Sequence, residues 1–247
     1  MDNSRLEKVL KSGEEINLGN LFDWLQGIAE ELGKVVRWKD REKIAGQSVR
    51  ENDLQHIFKA TLLTIVCAIS ENSIRSPADQ LDVGELSIMA IGHDLGEIIE
   101  GDGPHYQKVD NNRKKDVNEL AAFRRIVSPL PQEVQERLIY AVRQTLPGCG
   151  EYIDTKEARF FNAVEQLLGL KRGLYECSLG NLHFAPKCLD WHIAGLQKHS
   201  DEFVSLMKWY YPYIEETKSY LMEFAKQRDK YITESVKRGG RKEEFPF

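Results

Sequence analysis

The chain has 247 residues, 41% of them hydrophobic, enough to bury one full core, and nothing in its composition calls for a second domain. A formal net charge of -5 argues against a general nucleic-acid binder, which would carry a basic stripe, but leaves room for a small anion held by a few basic groups or a bound cation. Cys67, Cys149, Cys177 and Cys188 show no C-x-x-C spacing, the chain begins without an apolar signal segment, and no apolar run approaches the ~20 residues of a membrane span. The expectation is a soluble cytoplasmic protein with reduced thiols.

Strand signals are poor and apolar residues at helical spacing recur throughout, which predicts an all-α protein: a single helical domain over residues 1–236, with its core at about 20–220. The basic tail KRGGRKEEFPF at 237–247 reads as frayed and solvated.

The first predicted helix covers 20–33, with Asn20 as N-cap and Leu21, Phe22, Leu25, Ile28, Ala29 and Leu32 on one stripe. Arg37-Trp38 and a polar, loop-like stretch to Asn52 follow. A second helix, from Asp53 to Ser70, carries Leu54, Phe58, Leu62, Ile65, Val66 and Ile69 as its apolar set, with His56 near its start. A third runs from Val83 to Glu100, stopped by Gly101-Asp102-Gly103-Pro104, and a polar segment then reaches Lys115. Helices at 116–128 and 132–146 are set off by Pro129, Pro131 and Pro147-Gly148, and a sixth runs from Thr155 to Cys177. From Cys188 the pattern resumes through Trp191, Ile193, Phe203 and Met207 until Pro212 interrupts it, and a last helix reaches Val236. The aromatic cluster Trp209, Tyr210, Tyr211 and Tyr213 reads as core or dimer packing.

The most informative segment is HDLGEIIEGDGP, residues 93–104. Neighbours on a helix diverge by about 100°, so His93 and Asp94 reach one cation only at a kink or terminus. Glu97 lies at i+4 from His93 on the same face. His56 can meet His93 across a helix pair, giving three ligands with Asp94. On the sixth helix Glu165 shares a face with Ala158, Phe161 and Leu168, an odd place for a carboxylate. It is either the fourth ligand or a stripe-edge residue paired with Arg172 or another basic group. Two imidazoles with carboxylates suit one divalent transition ion (Mn, Co, Fe, Ni or Zn) better than calcium. His105, His183, His192 and His199 have no comparable company and read as structural, His105 the least clearly because it follows the Asp102 turn.

With these residues in hand, the chain resembles the HD-domain metal-dependent phosphohydrolases, and within them the bacterial 5'-deoxynucleotidase branch. The resemblance runs over about 20–220 through Arg37-Trp38, ENDLQH ending at His56, AIGHDLGEIIEGDGP ending at Pro104, and EARFFNAVEQL on the sixth helix. It implies that His56, His93 and Asp94 bind the metal. Glu165 stands where the family has its final metal-binding Asp, one methylene longer. It also implies that Glu97 handles the attacking water, that Asp102 contacts the sugar hydroxyl as part of the catalytic set, that Arg37 holds phosphate and that Trp38 lies against the sugar. Glu97 is followed by Ile98, unlike the stringent-response hydrolases, and there is no Gly-Tyr-Pro signature of the cyclic-dinucleotide branch. Too few extra histidines are present for a dinuclear site, so one metal is expected. The substrate implied is a nucleotide, most of all a 2'-deoxynucleoside 5'-monophosphate, and the partner a second copy in a homodimer, with neither nucleic acid nor membrane. Alternatives are release of triphosphate or pyrophosphate from nucleoside triphosphates, or a nucleotide-binding protein with impaired catalysis because of Glu165.

Overall fold

Helix follows helix along the chain, as expected, and among the described residues the isolated antiparallel bridge Val36↔Asn52 is the one piece of β pairing. The computed structural model describes residues 5–12, 18–37, 51–101 and 109–237. Trp38, Asp102, His105 and the tail from 238 on lie outside them. The helices are α1 (Arg5–Ser12), α2 (Leu18–Leu32), α3 (Asp53–Asn72), α4 (Val83–Gly92), α5 (Glu97–Glu100), α6 (Val109–Val127), α7 (Gln132–Arg143), α8 (Lys156–Ser178) and α9 (Val204–Lys237). Short 3-10, α and π turns fill Leu182 to Gln197.

Residue contacts divide the chain into two compact units. Of the described residues, the first takes those up to Arg37, those from Glu51 to Ile65 and those from Asp82 to Phe161; the second takes those from Val66 to Leu81 and from Asn162 to Lys237. In the first, Trp24, Ile28 and Leu32 of α2 pack with Ile57 of α3, Leu120, Phe123 and Ile126 of α6, and Val142 of α7. The Trp24 indole N–H donates to the Ile126 carbonyl at 3.1 Å, so a large ring is buried with its one polar atom satisfied. In the second, Phe184 and Ala185 of the irregular turns pack on Cys177 and Phe224. There Glu71 accepts from the Ser205 backbone N–H at 2.9 Å and hydroxyl at 2.5 Å, and Arg75 bonds to Glu71.

Several boundaries and faces differ from expectation, each for a physical reason. Helix α2 starts at Leu18, so Asn20 lies inside it, and its buried stripe is Trp24, Ile28 and Leu32 while Phe22 and Leu25 face out. Helix α6 begins at Val109 instead of 116, and Lys115 in the added stretch is tied to Glu97 and Glu119. The turns at Cys188–Ile193 form a π-helix, and a Cβ on Gly173 of α8 would come within 2.4 Å of the Cys188 sulfur, a close approach only glycine permits. Pro212 interrupts nothing: α9 runs through it, the proline's cost of about 3 kcal/mol being offset by the buried face that includes Leu206, Met207 and Tyr210. The aromatic cluster splits, with Tyr210 buried and Trp209 and Tyr211 exposed.

Helix α3 brings the largest surprise. Leu54, Phe58, Leu62, Val66 and Ile69 form its exposed face, Phe58 being 64% accessible, whereas Asp53, His56, Ile57, Ala60 and Thr64 are buried. Both faces are apolar enough to read as core, so periodicity alone does not select one. By length and composition this 20-residue helix is long and apolar enough to cross a membrane, which corrects the expectation that no run approaches that size.

Candidate metal centre

Two backbone arrangements in the first unit aim the site. The bridge at Val36↔Asn52 pairs the Arg37 N–H with the Glu51 carbonyl at 2.8 Å and the Asp53 N–H with the Val35 carbonyl at 3.1 Å, fixing Arg37 beside the start of α3. Asn52 and Gln55 then cap that helix reciprocally: the Asn52 side chain accepts from the Gln55 N–H at 2.9 Å and the Gln55 side chain from the Asn52 N–H at 3.3 Å. His56 follows one turn on.

The second arrangement is the break after Gly92. The expected continuous helix to Glu100 is divided into α4 and α5 by a turn at residues 93–96, with His93 as the C-cap of α4. This is the helix terminus that lets adjacent His93 and Asp94 converge. Gly96 closes the turn against α6, where an added Cβ would stand 2.6 Å from the Glu119 carbonyl oxygen.

The His56 and His93 Nε2 atoms are 3.2 Å apart, and Asp94 Oδ2 lies 3.1 Å from the His93 Nε2 and 3.5 Å from that of His56. His93 Nδ1 donates to the Ala90 carbonyl at 2.9 Å, so in the neutral ring the Nε2 lone pair faces the cluster. The His93 ring meets Phe161 edge-on, centroids 5.2 Å apart. The Arg37 guanidinium bonds to Asp94, and its Nη1 is 3.5 Å from Asp53 and 3.8 Å from Glu97. Lys115 of α6 reaches Glu97 and Glu119, each at 3.0 Å.

Four carboxylates (Asp53, Asp94, Glu97, Glu119) thus face two cations (Arg37, Lys115), a surplus of negative charge beside two imidazoles. Burial alone would raise the Asp94 carboxyl, but His93, Arg37 and His56 hold it well below the usual carboxylate range. Burial pushes Glu119 up to about 7 in spite of Lys115. Lys115 itself is lowered by burial but held above its ordinary value by Glu97 and Glu119. The Asp53, Asp94 and Glu97 oxygens lie within 4.8 Å of one another. Nitrogen and oxygen donors in this arrangement fit a divalent ion.

Of the residues expected at the site, the structure brings together His56, His93, Asp94, Glu97 and Arg37. Trp38 and Asp102 lie outside the described residues. Glu165 belongs to the second unit, on α8, one turn past Phe161 on the same helical face and partly buried. Arg172, an expected alternative partner for it, bonds to Glu176 at 3.0 Å. His183 packs on Phe184 and His192 hydrogen-bonds Gln166, in keeping with structural roles. Asp53, Lys115 and Glu119 were not foreseen. Asp53 carried one signal, its place three residues before His56, while Lys115 and Glu119 read as an ordinary i, i+4 surface pair.

A helical chain with His-Asp at a helix break and a second His from the preceding long helix defines a class. The chain belongs to the HD-domain family, whose sequence profile matches residues 30–180, and it is a phosphohydrolase near the 5'-deoxynucleotidase branch. It is similar to a 5'-deoxynucleotidase of Photorhabdus laumondii, 27% identical over 184 residues that cover 73% of this chain and 87% of the relative. It is similar also to 5'-deoxynucleotidases of Photobacterium profundum (24% over 158 residues; 62% and 75%) and Yersinia pestis (26% over 158 residues; 62% and 73%).

Proposed function

We propose that this phosphohydrolase removes the 5'-phosphate of 2'-deoxynucleoside monophosphates. The observation that carries the reading is the convergence of His56 Nε2, His93 Nε2 and Asp94 Oδ2 within 3.1–3.5 Å, with Glu97 one short turn away. The names of the relatives supply the substrate class. Glu165 is proposed as the fourth ligand, on the strength of its match to the family's final acidic position and its place on the helical face of Phe161. Trp38 and Asp102 are proposed for the sugar, as the resemblance implies.

His56, His93 and Asp94 would hold one divalent ion, which when bound supplies Lewis acidity toward water and phosphate oxygens. The chain's own groups do the rest. Arg37 offers a planar donor pair to the phosphate, and Asp53 and Glu97 orient its guanidinium. Glu97 takes a proton from the attacking water, whose oxygen bonds to phosphorus as the bond to the 5' oxygen breaks. The departing oxygen then takes up a proton.

For assembly we propose a homodimer through the exposed α3 face, since Leu54, Phe58, Leu62 and Val66 form an unbroken i, i+4 ridge of the kind that packs against its own copy. The four free, buried cysteines fit a reducing compartment, and a cytoplasmic location is proposed on that basis.

Purified protein given manganese or cobalt and a nucleotide panel should release inorganic phosphate from deoxynucleoside monophosphates. Release of triphosphate or pyrophosphate from nucleoside triphosphates would shift the cleaved bond. Binding by calorimetry without product under any metal would make the chain a nucleotide binder, and in that case Glu165→Asp tests whether the longer acid is responsible.

A further inference from the structure

We infer that Lys115 is a positioning residue for Glu97, an inference that rests on the hydrolase reading above. Glu97 begins a helix of only four residues, directly after the turn that carries His93 and Asp94, and is 1% exposed. The torsion that sets a glutamate's carboxylate plane is soft, so so short an element does not by itself decide which oxygen faces the metal ligands. Two cations decide it. Lys115 Nζ holds Oε1 at 3.0 Å, and Arg37 Nη1, which also bonds Asp94, stands 3.8 Å from Oε2. Oε2 is therefore the oxygen turned toward the ligand side, where water would give up its proton.

Lys115 is aimed in turn. Its ammonium is shared with Glu119, one turn later on α6, at 3.0 Å. Gly96 lets α6 come close enough for the reach, as a side chain there would strike the Glu119 carbonyl. The chain Glu119, Lys115, Glu97 thus transmits the position of a long helix to a carboxylate on a very short one. A rival role for Lys115 is to neutralise buried Glu119 and nothing more, and the two roles part in a double variant.

The experiment compares the full-length wild type with Lys115→Met, Lys115→Arg and Lys115→Met/Glu119→Gln, using manganese and a deoxynucleoside monophosphate. Lys115→Met is expected to lower kcat about 10- to 100-fold with KM and calorimetric manganese affinity within about twofold of wild type. Lys115→Arg should restore most of the rate, and crystals of Lys115→Met should show the Glu97 carboxylate rotated. The double variant, relieved of the unpaired buried acid, should melt near the wild type yet stay slow. Recovery of kcat in the double variant would overturn the inference, leaving Lys115 a charge-balancing residue. Wild-type turnover with an unimpaired Lys115→Met sinks this inference alone, whereas no metal-dependent phosphate release from the wild type sinks the hydrolase reading with it.

Discussion

His56 and His93 meet Nε2 to Nε2 at 3.2 Å although 37 residues of sequence separate them. Two ring nitrogens at that distance share one proton or one cation, and with Asp94 beside them a cation is the better occupant. Manganese or cobalt should therefore raise the melting temperature. At a free concentration a hundredfold above Kd the gain is about 2.7 kcal/mol, and at roughly 2–4 °C per kcal/mol for a chain of this size the shift should be several degrees. Thermal denaturation with and without EDTA measures it. A His56→Ala variant should lose the shift, and a metal response that survives that substitution would place the ion elsewhere.

Asp53 is fully buried at the first residue of α3 and lies 3.5 Å from the Arg37 guanidinium. Asp53→Ala leaves the guanidinium with Asp94 and Glu97, so it should destabilise the fold by only about 1 kcal/mol in urea unfolding. Asp53→Asn keeps the shape and loosens the guanidinium. Its expected effect is a KM raised about tenfold with kcat less affected, since binding of phosphate is what Arg37 contributes. A normal KM in Asp53→Asn would remove Arg37's anchor from the account.

Glu119 gives a pH dependence with a definite sign. Burial lifts its carboxyl from 4.5 to about 7, so between those values the folded protein holds a proton that the unfolded chain has released. The stability this contributes is complete below pH 4.5 and lost as pH rises through 7, a fall of roughly 3 kcal/mol. Asp94 acts oppositely: burial would raise it, but His93 and Arg37 hold it low, so its contribution is present above the usual carboxylate range and lost as pH falls through the depressed value. Urea unfolding of metal-free protein from pH 5 to 8 should show stability declining toward pH 8. Glu119→Gln should flatten that slope, and an unchanged slope would assign the proton to another group.

The α3 ridge predicts the assembly. Light scattering should give a dimer for the wild type and a monomer for Leu62→Glu, a substitution at the middle of the ridge. Because Leu62 is exposed within one chain, the folding of the monomer should change by no more than about 0.5 kcal/mol. A monomeric wild type, or a dimer that survives both Leu62→Glu and Phe58→Glu, would dispose of this interface.

What could be read in the residues follows from how local each signal is. The run from His93 to Glu97, with Gly101 closing the helix at a φ of 78°, places a histidine, an aspartate and a glutamate within five residues whatever surrounds them, although the break after Gly92 that lets them converge reads as continuous helix. Proline punctuation placed the start of α7 at residue 132 and the start of α8 within one residue, while α7 ends three residues before the expected 146. Pro212 misled, because burial of the α9 face outweighs a local penalty.

The sequence by itself determined that the protein is helical, that His93, Asp94 and Glu97 stand close together along the chain, and that His56 can meet His93 from another helix, while the family resemblance brought Arg37 to them. The helical class and the His93–Glu97 grouping are properties of residue type and of spacing along one element. Tertiary structure alone decided that Leu54, Phe58 and Leu62 face outward, that Asp53 lies behind Arg37, and that Lys115 and Glu119 are drawn beneath Glu97. The physical reason is the same in each case. Periodicity records which side chains share a face, but what that face meets is set by a helix dozens of residues away, and a charge is costly or useful only according to the neighbours that replace its water.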